Sequence, residues 1–272
     1  MDLKALAEIP PWDWPEDTLA TILRALTEES TTPAERLLAA ELAGDSTIVN
    51  DKLAEALLSI ACRDDAPVDL RGAAAIALGP ALEHESLRDP EASDDADDEL
   101  LSGRMVRRTQ SLLRRLCLTE HLSRDVRRRA LEASVRLPQK WHRDAVRTAY
   151  GSYDAAWRLT AVFCMRFIRG FDKEILEALD SEDAETRYQA VSAAGNWGLD
   201  AAWPRVAGLF GSEAVDKGLL LAAIEAVASI RPTEALGILV DLTDSEDEDI
   251  VEAAFDALAM AEGALEGPAE ED

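Results

Sequence analysis

Apolar and polar positions follow the period of an α-helix in the stretch DAETRYQAVSAAG, residues 183–195. An aspartate opens this stretch. Arg187, Ala190, Val191 and Ala194 then follow at spacings that place their side chains on one face of a helix. The stretch therefore predicts a helix that presents one arginine and three small apolar side chains along a single stripe.

The same stripe occurs seven times along the chain. One column is alanine in every copy: Ala39, Ala74, Ala130, Ala161, Ala190, Ala223 and Ala254. Three positions before it the residues are Arg36, Arg71, Arg127, Arg158, Arg187, Leu220 and Val251. Directly after it they are Ala40, Ala75, Leu131, Val162, Val191, Ile224 and Phe255, and three positions after it they are Leu42, Ala77, Ala133, Cys164, Ala193, Ala226 and Ala257. Small residues in fixed columns favour helices that pack closely against their neighbours.

The spacing of the stripes predicts a repeat made of two short helices. Successive alanines of the alanine column are 35, 56, 31, 29, 33 and 31 residues apart, and a period near thirty is typical of helical solenoids. We expect helix pairs at 16–29 with 33–43, 47–62 with 67–79, 100–118 with 123–137, 139–150 with 153–169, 171–180 with 183–195, 200–210 with 213–230, and 232–243 with 246–262. Gly79-Pro80 is expected to end the second pair, because glycine and proline commonly terminate helices.

Three segments do not follow the stripe. The 56-residue interval contains the acidic run EHESLRDPEASDDADDE, residues 83–99, which predicts a mobile loop inserted between two repeats. Residues 1–15 carry three prolines around Trp12 and Trp14, which predicts an extended leader whose tryptophans cap the open end of the core. Residues 263–272 are expected to form a disordered acidic tail.

Several copies share a finer pattern. Leu70-Arg71, Val126-Arg127 and Trp157-Arg158 each pair an apolar residue with the column arginine, and Asp154 and Asp183 precede their arginines by four residues. This pattern resembles the HEAT repeat, and its short period is similar to that of the HEAT-like repeats of phycobilisome lyases. The resemblance covers residues 16–262. It implies an all-α fold, a right-handed α-α superhelical solenoid of about seven helix pairs whose second helices line the concave side.

Composition limits the classes of partner and of site. The 54 acidic and 28 basic residues give a formal charge of −26, which repels nucleic acid and anionic membranes overall. The three cysteines, Cys62, Cys117 and Cys164, form no CxxC pair, so neither a disulfide framework nor a zinc site is expected. No signal pattern and no long uncharged apolar stretch is present, which predicts a cytoplasmic protein without membrane association. The oligomeric state stays open.

One segment has the opposite charge. Residues 104–147 contain thirteen Lys/Arg residues and four Asp/Glu residues. Guanidinium groups bind carboxylates and phosphates, so this segment is the candidate partner-binding region. The candidate residues are Arg104, Arg107, Arg108, Arg115, Arg124, Arg128, Arg129 and Arg136, together with Trp157 and Trp197.

Three interpretations of the arginines remain open at this stage. They bind an acidic protein partner, they bind nucleic acid, or they pair internally with chain carbonyls and with the acidic insert at 83–99. In the last case the insert covers the arginines and competes with an acidic partner. Trp197 lies in the turn GNWG, where it is either an exposed recognition residue or a seal between two repeats.

The function expected from these features is a non-enzymatic scaffold or adaptor that holds a protein or peptide on its concave face. The alternative is a HEAT-like enzyme or nucleic-acid-processing protein that uses residues 104–169. The HEAT-like deoxyhypusine hydroxylases use several His-Glu pairs, whereas His84-Glu85 is the only such dipeptide here. A HEAT-like DNA glycosylase would use Trp157 and Asp154, but the charge of −26 opposes DNA binding. No metal or cofactor is therefore expected.

Overall fold

The computed structural model describes residues 2–45, 49–88, 101–211 and 215–266, and within these ranges the chain forms helices and turns with no β-strand. Two compact units, Met1–His142 and Arg143–Asp272, divide the chain. The helices are α1 (Leu3–Ala7), α2 (Thr18–Thr27), α3 (Pro33–Asp45), α4 (Asp51–Cys62), α5 (Val68–Ile76), α6 (Gly79–Leu87), α7 (Gly103–Leu118), α8 (Arg124–Ser134), α9 (His142–Tyr150), α10 (Ala155–Cys164), α11 (Asp172–Ala178), α12 (Ala184–Asn196), α13 (Trp203–Ala207), α14 (Lys217–Ile230), α15 (Pro232–Leu242) and α16 (Glu248–Glu266). Short 3₁₀ turns span Pro11–Asp13, Asp200–Ala202 and Gly208–Gly211.

Each unit consists of helix pairs stacked in two layers. In the first unit, α2, α4 and α7 pack side by side, and α3, α5 and α8 form a second layer against them. In the second unit, α10, α12, α14 and α16 form one layer, and α11, α13 and α15 pack on it. The predicted all-α arrangement of helix pairs is thus confirmed within each unit.

The alanine column is the core of this stacking. All seven alanines, from Ala39 to Ala254, are 0% exposed. The residues three positions further on, from Leu42 to Ala257, are also buried. The column between them is buried as well except for Phe255, which is 58% exposed on α16. The predicted packing columns are therefore confirmed.

Gly195 shows why these columns need small residues. A Cβ atom at position 195 would lie 2.8 Å from the Cα of Ala226, so α12 and α14 approach each other closely at this point. The helix then ends in a left-handed turn at Gly198, with φ at +55°. The Leu199 N–H donates to the Ala194 carbonyl and the Gly198 N–H to the Gly195 carbonyl, which together form a Schellman cap.

The acidic residue of the repeat is a helix cap. The Asp183 carboxylate accepts a hydrogen bond from the Thr186 N–H at 2.8 Å, and Asp154 and Asp216 cap α10 and α14 in the same way. The bonds from Thr186 lower the pKa of the Asp183 carboxyl. A charged carboxylate here satisfies backbone N–H groups that the first turn leaves without partners.

The column arginine ties the two helices of a pair together. The Nε of Arg71 donates to the Ala61 carbonyl at 3.1 Å, and the Nε of Arg127 donates to the Cys117 carbonyl at 3.0 Å. Each acceptor belongs to the final turn of the preceding helix, where carbonyl groups lack helical partners and the helix dipole favours a cation. The expectation that column arginines bond carbonyls of their own chain is therefore confirmed for Arg127, and Arg71 makes the same kind of bond.

The N-terminal leader is not extended as expected. Its first residues form α1, which is capped by Asp2 and buries Leu6. The indole N–H of Trp14 donates to the carbonyls of Leu6 and Ile9, so Trp14 fastens this helix. Trp12 is exposed and caps nothing within the described residues. All three prolines of the leader follow α1 in the sequence, so they do not prevent this helix from forming.

The prediction that Gly79-Pro80 ends a helix pair is wrong, because α6 begins there and buries Ala81 and Leu82. Proline has no N–H to donate, and the first turn of a helix does not need one.

Residues 83–87, the start of the expected mobile insert, are helical, whereas 89–100 lie outside the described residues. At the other end, α16 continues through Gly263, the start of the expected tail, to Glu266, and 267–272 lie outside the described residues.

Candidate functional site

Helix α7 is fixed at its start by Ser102. The Ser102 hydroxyl accepts from the Met105 N–H at 3.2 Å and donates to Asp51 of α4 at 2.7 Å, while the Ser102 N–H donates to the same carboxylate. One face of α7 is buried, through Val106, Thr109, Leu113, Leu116 and Cys117. Burial raises the pKa of the Cys117 thiol to about 12, so this thiol stays protonated at neutral pH. The opposite face is consequently held outward.

The outward face of α7 is an arginine stripe. We use this name for Arg104, Arg107, Arg108, Arg114 and Arg115, all of which are exposed. At 100° per residue these five positions fall within about a third of the helix circumference. The stripe runs about 16 Å along the helix axis at 1.5 Å per residue. No Asp or Glu occurs in α7, so the helix itself provides no counter-charge.

Neighbouring helices neutralise little of the arginine stripe. Arg108 pairs with Glu55 of α4 at 2.8 Å, and both side chains are about half exposed. A guanidinium N–H of Arg115 lies 3.8 Å from the Cys62 sulfur, and Arg114 lies 5.8 Å from the centre of the Trp141 ring. Within the described ranges, neither Arg104 nor Arg107 forms an ion pair.

The arginines of α8 have a different environment. Arg128 is only 14% exposed at its side chain and lies between Asp125, at 3.3 Å, and Glu132, at 3.7 Å. Arg129 also contacts Glu132, at 2.8 Å, and this carboxylate is 8% exposed. Charge-assisted pairs that are partly buried in this way hold the local structure together.

The two remaining candidates near α8, Arg136 and Arg124, differ in their environments. Arg136 follows α8 and pairs with Glu83 of α6. Arg124 begins the helix and is exposed. The structure thus places four candidates on α7 and four on or after α8, in two different layers of the first unit. Internal pairing accounts for Arg128, Arg129 and Arg136.

The two tryptophan candidates belong to the second unit. The Trp197 indole N–H donates to the Met165 carbonyl at 2.6 Å, and the Arg169 guanidinium lies 4.6 Å from the ring centre. Trp197 is half-buried and links the end of α12 to the end of α10, as expected for a seal between repeats. Trp157 is the third residue of α10, and its N–H bonds the Asp154 cap.

Arg114 belongs to the arginine stripe but is absent from the candidates chosen by sequence. Its spacing from Arg104 and Arg107, ten and seven residues, places it on the same helical face. Trp141, on which Arg114 lies, is 27 residues away in sequence, and no local pattern indicates that contact. Helical spacing therefore could have found the arginine but not its aromatic neighbour.

Among the residues that the structure describes, no group of three or more His, Cys, Asp or Glu side chains is arranged to hold a metal ion. His84, the histidine of the single His-Glu dipeptide, is exposed on α6. None of the helices in the described ranges combines the length and the apolar character needed to cross a membrane.

Comparison with protein families now identifies the repeat. Residues 172–259, from α11 into α16, match the family model for HEAT repeats. Residues 172–259 therefore carry HEAT repeats. The buried alanine column of these HEAT repeats continues through the first unit at Ala39, Ala74 and Ala130. None of the curated proteins compared with the chain matches it, and the likeness to phycobilisome lyases stays a prediction.

Solved structures with similar folds include the following three. Human deoxyhypusine hydroxylase is 17% identical over 96% of this chain and 89% of its own, with a TM-score of 0.42. The Escherichia coli protein YibA is 14% identical over 93% and 85%, with a TM-score of 0.46. Importin beta is 14% identical over 99% of this chain and 44% of its own, with a TM-score of 0.45. These values are too low to carry a function over to this chain.

Proposed function

We propose that this HEAT-repeat chain is a non-enzymatic scaffold and that its arginine stripe binds an acidic segment of a protein or peptide. The observation that carries the proposal is the charge of α7: five exposed arginines, no acidic residue in the helix, and a single ion pair, Arg108 with Glu55, among the described residues. Arginine forks bind carboxylates in two-point geometry, and an exposed row of them favours an acidic ligand.

The length of the stripe favours a short acidic peptide over nucleic acid. A span of about 16 Å matches about five residues of an extended peptide at 3.3 Å each. Double-stranded DNA carries one negative charge per about 1.7 Å and continues beyond any such patch. Outside the stripe it would meet a chain whose total formal charge is −26, so a long polyanion is repelled where a short peptide is not.

The position of the stripe changes one part of the sequence-based expectation. The HEAT resemblance implies that the second helices of the pairs line the concave side, and it predicts that the scaffold binds its partner there. The arginine stripe lies on α7, the first helix of its pair, whereas α8 uses Arg128 and Arg129 for internal pairs. The proposal therefore assigns binding to the first-helix layer.

Binding of a short, fluorescein-labelled, glutamate-rich peptide tests this function by fluorescence anisotropy. The double substitution Arg104→Glu/Arg107→Glu is expected to weaken binding by about tenfold or more, since each reversed charge costs on the order of 1 kcal/mol at an exposed contact. The loss should shrink as NaCl is added, because exposed charges are screened. Thermal stability should be unchanged, because both side chains are exposed and unpaired within the described ranges.

A matched variant distinguishes local binding at the arginine stripe from a general effect of net charge on peptide affinity. Lys4→Glu/Arg24→Glu alters the charge by the same amount at exposed positions of α1 and α2, and it should change the peptide affinity by less than about twofold. Equal losses in both variants would refute a local site. Tighter binding of a single-stranded oligonucleotide of equal charge, lost in Arg104→Glu/Arg107→Glu, would replace the proposal with a nucleic-acid function.

A further inference from the structure

Helix α16 exposes an aromatic side chain at a column position that is buried in the earlier repeats. Phe255 occupies the column that Leu131, Val162, Val191 and Ile224 fill in earlier repeats, and those four are at most 1% exposed. Phe255 is 58% exposed. Complete burial of a phenylalanine side chain contributes about 1.5–3 kcal/mol of free energy. Covering Phe255 would therefore stabilise a complex formed at this face.

Three carboxylates surround Phe255 on the same face. At 100° per residue, Glu252, Asp256 and Glu262 fall on the arc of α16 that includes Phe255 and Ala259, and all five positions are exposed. None of these three acidic residues forms an ion pair with another described residue. We call this set, Glu252, Phe255, Asp256, Ala259 and Glu262, the α16 face.

The helix pair that carries the α16 face has charged residues of one sign only. Residues 232–266 contain eleven Asp or Glu residues and no Lys, Arg or His. Three of them form ion pairs within the chain: Asp247 and Asp249 with Lys217, and Glu234 with Arg231. The other eight belong to a helix pair that contains no positively charged residue.

We propose that the α16 face docks a basic amphipathic segment of a partner protein, one that sets an apolar side chain on Phe255 and places Lys or Arg beside Glu252 and Asp256. Charge complementarity selects this occupant. A cationic side chain over the Phe255 ring also gains a cation–π contact. This site is independent of the arginine stripe, which lies in the first unit and has the opposite charge.

Two other occupants fit the charge less well. A second copy packed through the same face would place Glu252, Asp256 and Glu262 near their own equivalents, and both copies carry −26. Residues 267–272 lie outside the described residues, and their sequence, GPAEED, adds three acids and no base. A basic partner is the one that neutralises the face.

The experiment uses the full chain and a designed lysine-rich peptide that forms an amphipathic helix with a leucine stripe. Its dissociation constant is measured by anisotropy for the wild type and for Phe255→Ala. We expect the substitution to weaken binding by about tenfold or more, because the apolar contact is lost while the net charge is unchanged. Tyr153→Ala, at an exposed aromatic residue outside the α16 face, is the matched control and should change the affinity by less than about twofold.

The carboxylates have their own matched pair. Glu252→Gln/Asp256→Asn should weaken binding by about tenfold, and Glu8→Gln/Asp13→Asn, with the same change in net charge at exposed positions of the leader, by less than about twofold. Binding that is unaffected by Phe255→Ala, or reduced equally by both carboxylate pairs, would overturn the site in favour of diffuse attraction to an acidic chain. Concentration-dependent dimerisation in sedimentation, abolished by Phe255→Ala, would also overturn it and assign the face to a second copy.

Discussion

Replacing Ala190 with glutamate is expected to lower the free energy of unfolding by roughly 3–5 kcal/mol or to prevent folding of the second unit. Ala190 is completely buried in α12, which packs against both α10 and α14. At Gly195 of the same helix the backbones leave no space for even one added carbon atom beside Ala226. A glutamate in the alanine column would therefore bury an unpaired carboxylate and separate helices that stack closely. Urea denaturation followed by far-UV circular dichroism measures the effect.

Ala184→Glu is the matched control for this prediction. It makes the same chemical change in the same helix, at an exposed position of the first turn, where a negative charge is favourable to the helix dipole. The expected change in unfolding free energy is within about 0.5 kcal/mol. If Ala190→Glu unfolds at the same urea concentration as the wild type, the alanine column is not the packing interface of the repeats.

Acidification is expected to destabilise the first unit through His142. This side chain is 1% exposed. Its Nδ1 accepts from the Gln139 N–H at 2.8 Å, and its Nε2 lies 3.0 Å from the Ser134 hydroxyl, which donates to the Leu131 carbonyl. An Nδ1 that accepts is unprotonated, so the folded ring is neutral. Burial lowers the pKa of His142 to about 4, and the charge of Arg114 acts in the same direction.

The sign of the pH effect follows from the lowered pKa. Below its ordinary pKa of about 6.5, His142 takes up a proton in the unfolded chain but not in the folded protein. Its contribution to stability is therefore complete above about pH 6.5 and is lost as the pH falls towards 4. At about 1.36 kcal/mol per pH unit, the loss between pH 6.5 and pH 5 is about 2 kcal/mol.

Urea denaturation from about pH 7.5 to about pH 5 tests this. The difference in unfolding free energy between the wild type and His142→Gln should shrink by about 2 kcal/mol over that range, because the variant lacks the titrating ring and keeps every carboxylate. His121→Gln, at an exposed histidine, should keep the pH dependence of the wild type. Parallel curves for the wild type and His142→Gln would contradict the role of His142.

The packing of the repeats could be predicted from the sequence because it depends on spacing alone. The alanine column recurs at fixed distances and is buried throughout, and the recurring aspartates Asp154 and Asp183 cap their helices. Helix α6 could not be predicted in the same way. Gly79-Pro80 suits a helix end and a helix start equally well, and the burial of Leu82 decides between them.

The sequence predicts only in part which arginines form internal ion pairs and which remain exposed. Glu132 follows Arg129 by three residues and Arg128 by four, so helical spacing predicts both contacts. Glu83 lies 53 residues before Arg136, as Glu55 does before Arg108, and such pairs depend on how neighbouring helices are placed. Sequence alone therefore finds a basic segment but does not tell which arginines remain available to a partner.

The most direct test of the account compares Arg107→Ala with Arg128→Ala, two substitutions that remove the same side chain and the same charge. Arg107 is exposed on the arginine stripe, and Arg128 lies between Asp125 and the largely buried Glu132. Both the affinity for the glutamate-rich peptide and the free energy of unfolding are measured for each variant. Arg107→Ala should weaken peptide binding by about threefold or more without loss of stability, whereas Arg128→Ala should lower stability by about 1–3 kcal/mol and leave peptide affinity within about twofold. Loss of binding in Arg128→Ala with none in Arg107→Ala would contradict the assignment of the partner to α7.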